Sequence, residues 1–522
     1  MNKADKFVEC LVPISHCNLR CEYCYVIQDN NRDSDRPKFR RNPQEIGRAL
    51  NPARWHAERL FVSFCGAGET FLCKEMTDIV ICTLMQGNFV NVTNNGTISP
   101  AIEKLINLPD DLSSRLVFAF SFHYNELKKR NLLKNFAENV KKVAVSKASF
   151  TVQLNLYDGY LDCLDEIKNF SMENFGALPQ IALTRAQQRG IAIHSSADFE
   201  TYKNYGAQFN SPMFKFACEN FLKSRAKNFC YAGENSWRLD LATGDLKRCY
   251  FERAYFNAYD NLDKEIPLKP IGINCRDTYC VNAIHFLALG NIPEINCPSY
   301  AQLRDRPEAG WYKQTMKEAL GGKFMPENKK PSVLLLGDSI SLDYREMVKT
   351  SLQDEMNVYY PNENGRFAAC TFRALYEWSR DFKWSSDMNF VYWNNGLWDV
   401  VRIFGDEPQT PLNDYEIMIR RIYNRLKYLF PKAQIIFATT TPVVEELYDK
   451  QTFYRRNADI ELYNKAAIQV VLECGGIIHD LHGEKNFWSR QAYRDATHFT
   501  LEARKFMAEG ICKLLRHLLT KA

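Results

Sequence analysis

The chain has 522 residues, of which 46% are apolar and 25% charged, so it is too long for one hydrophobic core and too apolar for a disordered chain. A net charge of +5 without a long Lys/Arg block gives no reason to expect nucleic acid as a partner. No apolar run suits a signal peptide or a membrane span, so a cytoplasmic protein that does not engage a membrane is the expectation. There, 17 cysteines read as metal ligands, catalytic thiols or core residues rather than as disulfides.

In chain order, apolar runs at 59–64, 88–93, 116–122, 150–156 and 180–183 alternate with amphipathic stretches such as 127–144. That is the rhythm of βα units on a parallel sheet. This first domain is taken as 1–214. Residues 215–304 are richer in Cys, Asn and Gly and predict a small, irregular, metal-organised unit. Residues 305–330 are polar, contain Gly321-Gly322 and predict a linker. A second βα series fills 331–522, with strands at 333–336, 390–393, 434–438 and 475–479 and helices at 413–429, 459–472 and 501–517. The fold class expected throughout is α/β.

Cys17, Cys21 and Cys24 leave the end of an apolar segment on one short loop. Three thiolates can bind three irons of a 4Fe-4S cube and leave the fourth open, whereas zinc usually takes CxxC pairs that this spacing does not offer. The C-x3-C-x2-C run, with the aromatic Tyr23 before its last cysteine, resembles the radical S-adenosylmethionine (SAM) superfamily over about residues 7–300. The resemblance implies a partial (β/α)6 barrel and an open iron that chelates SAM. A reductant such as flavodoxin or ferredoxin would drive cleavage of SAM to a 5′-deoxyadenosyl radical. The following Gly66-Ala67-Gly68-Glu69-Thr70 is similar to the family's GGEP motif, with Ala for one Gly and Thr for Pro. On that likeness Gly66 and Gly68 let backbone approach the methionyl ammonium and Glu69 accepts from it. Asn94, Ser121, His123 and Asn155 fall at strand ends where the family contacts the ribose and carboxylate of SAM; simple strand-end capping is the alternative.

Alternating Trp237, Leu239 and Leu241 before Thr243-Gly244-Asp245 predict a β-hairpin that brings Cys230 and Cys249 toward one end. The spacing resembles the start of the SPASM and Twitch extensions of radical SAM enzymes. With Cys275 and Cys280 it implies one auxiliary 4Fe-4S cluster, and the absence of a longer cysteine run favours the Twitch form. A structural zinc or reduced buried thiols remain open, and Cys218 or Cys297 lies close enough in sequence to replace one ligand.

In the second series an apolar run delivers Gly337-Asp338-Ser339 to a strand-to-helix turn, and Asp495-Ala-Thr-His498 precedes the last helix. A serine becomes nucleophilic when an imidazole takes its proton and a carboxylate fixes the tautomer. These residues resemble the SGNH (GDSL) hydrolases over about 331–520, implying a flavodoxin-like α/β/α domain. Ser339 would be the nucleophile, His498 the base and Asp495 its partner, with Gly365 and Asn395 as oxyanion donors. The family's G-x-N-D block is replaced by Asn394-Asn395-Gly396, so either Asn is a candidate. The combined expectation is a bifunctional enzyme that joins radical modification to serine-dependent acyl hydrolysis or transfer on a small-molecule, glycan or peptide substrate. The alternatives are an esterase with a redox-sensing or structural cluster module, or a peptide-modifying maturase.

Overall fold

The computed structural model describes residues 3–32, 38–186, 192–225, 228–250, 252–272, 275, 277, 279–280, 284–324, 330–379, 388–484 and 488–520. It divides into two compact units, 1–326 and 327–522.

The first unit is built on β1 (Lys6–Val12), β2 (Leu60–Gly66), β3 (Phe89–Asn94), β4 (Leu116–Ser121), β5 (Ser149–Leu156) and β6 (Gln180–Leu183). All six are parallel neighbours in sequence order. Leu60 to Phe64 are buried without a break, as expected for a strand covered on both faces. The stretch 127–144 is two helices, Tyr124–Lys129 and Leu133–Val145, because the chain turns at Asn131 with φ of 57°. A small ribbon, β7 (Arg185–Ala186) with β8 (Ala192–Ile193), follows β6.

The cysteine-rich region is not a separate sheet. Its hairpin, β9 (Ser236–Asp240) with β10 (Asp245–Lys247), forms as expected, pairing Leu246 with Leu239. However, β9 lies parallel to β1, so β9, β10 and β11 (Phe256–Asn257) extend one nine-stranded sheet ordered β11-β10-β9-β1-β2-β3-β4-β5-β6. Gly244 makes the turn at φ of 84°, with the Tyr259 ring where a side chain would go.

Residues 305–324 are not an exposed connector, which corrects the linker reading; 325–329 lie outside the described residues. Trp311 is fully buried and donates to the Phe175 carbonyl at 2.9 Å, while its own carbonyl accepts from Phe150 N–H at 3.0 Å. Arg306 donates four bonds to the carbonyls of Leu178, Pro179, Phe209 and Asn210. The segment looks polar in sequence because its polar groups satisfy carbonyls at element ends.

In the second unit β12 (Ser332–Leu336), β13 (Asn357–Tyr359), β14 (Phe390–Trp393), β16 (Gln434–Ala438) and β18 (Ile477–His479) form a wholly parallel sheet ordered β13-β12-β14-β16-β18. Counted within the unit this is 2-1-3-4-5, the flavodoxin-like doubly wound order. A short ribbon, β15 (Arg402–Ile403) with β17 (Phe453–Tyr454), stands apart. Helices Ser339–Leu352 and Leu501–Leu519 pack together, as do Leu412–Leu429 and Asn457–Glu473. No helix among the described residues is long and apolar enough to cross a membrane.

Candidate functional sites

Parallel strands place their chemistry at carboxyl ends, where loops converge. In the first unit those ends surround a cavity of about 630 Å³ lined by Cys17, Cys21 and Cys24 together with Tyr23, Gly66, Gly68 and Glu69. Asn94, Ser121, His123 and Asn155 line the same cavity. Eleven sequence positions between 17 and 155 are thus drawn to one wall system by the order of the strands.

The local geometry differs from expectation in two places. Gly68 serves the cysteine loop: its N–H donates to Ile14 O at 2.5 Å, and an added Cβ would stand 2.1 Å from the His16 carbonyl oxygen. Glu69 is buried and its carboxylate accepts the Phe71 and Asn95 N–H groups at 2.9 and 2.7 Å. Burial outweighs these bonds and pushes its pKa up to about 7. The carboxyl therefore ties β2 to β3. Thr70 does similar work: its hydroxyl donates to Thr93 O at 2.7 Å and accepts from Gly66 N–H at 3.1 Å.

Asn94 is occupied by its own turn, bonding Val92 O and Gly96 N–H. Its neighbour Asn95, which sequence reasoning passed over, donates to Asn18 at 2.7 Å and lies 3.8 Å from the Cys17 sulfur. Leu19 N–H also approaches that sulfur, at 3.4 Å. No pattern marks Asn95, because its partners lie about 80 positions away. Tyr23 Oη and His123 Nδ1 are 2.6 Å apart, and burial lowers the His123 pKa to about 4, keeping the ring neutral.

Burial, with the nearby Glu69 and Cys24 charges, pushes the Cys17 thiol up to about 11, and burial raises Cys21 further. Such thiols ionise when a cation takes the proton's place. Among the described residues no three His, Cys, Asp or Glu side chains converge on a point where one ion would sit. A four-iron cube does not require that, since each thiolate binds its own iron. The donor set, three thiols facing one roomy cavity and N–H groups directed at Cys17 sulfur, fits such a cluster.

A second, small cavity of about 30 Å³ is lined by Cys230, Cys249, Cys275 and Cys280 among apolar side chains such as Ile271, Phe286 and Leu287. Cys218 and Cys297 do not line it; Cys297 donates to the Leu287 carbonyl at 3.2 Å. Burial drives the Cys249 thiol to about 12 and Cys280 to about 11, with neighbouring cysteines adding to the shift.

In the second unit Ser339 follows β12 at the point where the strand order reverses, the position where doubly wound folds place ligands. It opens the helix Ser339–Leu352, at the positive end of the helix dipole. His498 Nε2 stands 3.0 Å from Ser339 Oγ, and His498 Nδ1 stands 3.0 and 3.1 Å from the Asp495 oxygens. Burial pushes the Asp495 carboxyl up, but the N–H groups of His498 and Thr497 and the imidazole outweigh it and hold it below the usual range. Two further anchors were missed from sequence. Buried Arg455 donates to Leu397 O at 2.6 Å and to Tyr448 Oη at 2.9 Å, beside Thr497. Asp343, on the serine's helix, pairs with Arg494 at 3.2 Å.

The expected oxyanion donors are committed elsewhere. Gly365 N–H donates to Gly337 O at 2.9 Å. Asn395 is fully buried: its amide donates to Arg366 O and Thr371 Oγ1, and its oxygen accepts from Trp393 Nε1. Asn394 donates to Ala438 O at 2.8 Å and lines a small cavity with Asp338 and Ser341. These bonds lock the loops behind the serine.

No family model matches the chain. Over an alignment of 118 positions that covers 21% of the chain, it is 28% identical to the GDSL esterase/lipase WDL1 of Oryza sativa subsp. japonica and spans 45% of that protein, less than half the relative's length. Among solved structures, Streptococcus suis SuiB bound to S-adenosylmethionine is similar over 51% of this chain and 67% of its own, at 13% identity and a TM-score of 0.37. The acetyl xylan esterase AlAXEase is similar over 35% of this chain and 98% of its own, at 16% identity and a TM-score of 0.29. The chain is a mixed α/β protein in which a large parallel sheet and a separate doubly wound unit carry distinct candidate sites, and part of it is similar to a GDSL esterase/lipase.

Proposed function

We propose that the second unit is a serine acyl hydrolase or acyltransferase. The observation that carries this is the unbroken relay from Ser339 Oγ through both nitrogens of His498 to Asp495, each step at about 3 Å. His498 Nε2 takes the hydroxyl proton as Ser339 attacks an acyl carbonyl, and Asp495 holds Nδ1–H so that Nε2 faces the serine. The protonated imidazole then donates to the leaving oxygen or nitrogen, and water or another acceptor repeats the attack on the acyl-serine. The helix amino terminus at Ser339 supplies positive potential where the oxyanion forms. Wild-type protein should hydrolyse p-nitrophenyl acetate, and Ser339→Ala should lose that activity; equal rates would refute the assignment.

A second centre is favoured by a separate observation, the gathering of three motif cysteines, Tyr23 and seven strand-end residues around one cavity in the first unit. We read it as a radical SAM site in a partial barrel, with Cys17, Cys21 and Cys24 holding a 4Fe-4S cluster. Cys230, Cys249, Cys275 and Cys280 would hold an auxiliary one. A loaded cluster with SAM supplies abstraction of a substrate hydrogen atom. The protein's part is to hold the thiol loop against Gly68, keep His123 neutral beside Tyr23 and shield the reacting groups from water. Protein reconstituted with iron and sulfide without oxygen should form 5′-deoxyadenosine from SAM and a reductant, and Cys21→Ala should not. Binding of zinc alone would contradict the reading.

A further inference from the structure

The large cavity of the first unit has a second wall with different chemistry. Glu9 of β1, Arg185 of β7, Arg238 of β9, Tyr250 and His285 of the helix Ile284–Ala288 all line it. Tyr250 donates to Glu9 Oε1 at 2.6 Å. The other Glu9 oxygen lies 3.7 Å from Arg238 Nε, too far for a hydrogen bond, and both atoms are buried without a partner among the described residues. His285 Nε2 is 3.7 Å from Glu9 and is likewise unpartnered. Arg304 stands behind, over the Tyr300 ring at 3.7 Å, with its Nη1 buried and unpartnered.

The charges do not cancel. Burial, with the three guanidinium groups of Arg304, Arg238 and Arg185 adding to it, lowers the His285 pKa to about 3. One carboxyl faces them, and burial pushes that carboxyl toward its neutral form. A guanidinium cannot shed its proton to escape burial. Buried arginines with a structural role look different in this same unit. Arg54 donates to the carbonyls of Ala49, Ala258, Asn261 and Lys264, and Arg306 makes the four carbonyl bonds described above. The guanidinium groups of Arg185 and Arg238 make no hydrogen bond to protein among the described residues; that of Arg238 rests on the Tyr250 ring at 4.3 Å.

We propose that this wall is a binding subsite for the carboxylate or phosphate group of a small-molecule substrate, which Arg185 and Arg238 clamp inside the cavity. A planar guanidinium pairs with such an oxyanion through parallel N–H bonds, and in a buried setting the anion restores the balance that Glu9 alone does not. That the bound molecule is a substrate rests on the radical SAM reading of the same cavity; anion binding as such does not.

The test is calorimetric titration of the 522-residue chain, purified without oxygen, with inorganic phosphate, with succinate and with neutral erythritol at fixed ionic strength. At least one anion should bind saturably while erythritol does not, and the tighter anion identifies the class. Arg185→Gln and Arg238→Gln should each weaken it by about tenfold, the loss of one charge-assisted bond. Circular dichroism checks the fold of each variant. Should Arg238→Gln fail to fold, Arg238→Lys, which keeps the charge without the fork, should still weaken binding measurably. Failure of both anions to bind, or binding unchanged in the variants, overturns the proposal. Anion binding in protein that forms no 5′-deoxyadenosine supports the subsite and overturns only the radical reading.

Discussion

Replacing Asp495 by Asn isolates the orienting step of the proposed relay. The Asn carbonyl can still accept the Thr497 and His498 N–H groups now bonded at 2.8 and 2.7 Å, so the turn should survive. Its NH2 group, however, would face His498 Nδ1 and favour the tautomer whose proton sits on Nε2, pointing at Ser339. In a buried triad this exchange costs about 10⁴ in kcat. Here 51% of the Asp495 side chain is exposed, so solvent screens part of the effect. The expected loss is about 10²–10³ in kcat/KM, or about 3–4 kcal/mol, falling on kcat with KM little changed. Initial rates on p-nitrophenyl acetate for wild type, Asp495→Asn and Ser339→Ala provide the measurement. An Asp495→Asn enzyme within about threefold of wild type would refute the relay.

Three further outcomes are expected. Gly68→Ala forces a Cβ against the His16 carbonyl; it should cost more than about 2 kcal/mol and lower the iron bound on reconstitution, and an unchanged calorimetric Tm would count against the described contact. Alanine at Cys230, Cys249, Cys275 or Cys280 should each remove about four irons per chain, whereas Cys218→Ala and Cys297→Ala should not; iron assay reads this directly, and equal loss from Cys297→Ala would reassign the ligands. His479, half-buried and 2.7 Å from Tyr392 Oη, has its pKa lowered by desolvation from 6.5 to about 4. Between those values the unfolded chain binds the proton first, so stability of the second unit should fall by up to about 3 kcal/mol as pH drops through that window. His479→Gln should flatten that part of the denaturation profile, and an unaltered pH dependence would contradict the burial.

The longer strands of both sheets were legible because buried parallel strands write themselves as unbroken apolar runs: Ser332–Leu336 is buried at every position, whereas the short β13 (Asn357–Tyr359) and β11 (Phe256–Asn257) carry too few residues to make such a run. The relay was legible for a different reason, since Asp495 and His498 lie on one turn and the serine sits at a strand end. What escaped depends on distant partners. Gly365 and Asn395 look like free donors until Gly337, Arg366 and Thr371 are placed beside them. Residues 305–320 look like a tether until Arg306 meets four carbonyls and Trp311 fills the core. The parallel pairing of β9 with β1 joins residues more than 200 positions apart, and no local pattern announces it. The wall of arginines escaped for the same reason, as its members come from β7, β9 and a helix near residue 300.

The most direct test of the assignment in the second unit is to treat the 522-residue protein with a fluorophosphonate and locate the adduct by peptide mass spectrometry. The relay predicts one modified residue, Ser339, with labelling abolished in His498→Ala and in Ser339→Ala. Modification of another serine, or none in folded protein, would contradict it.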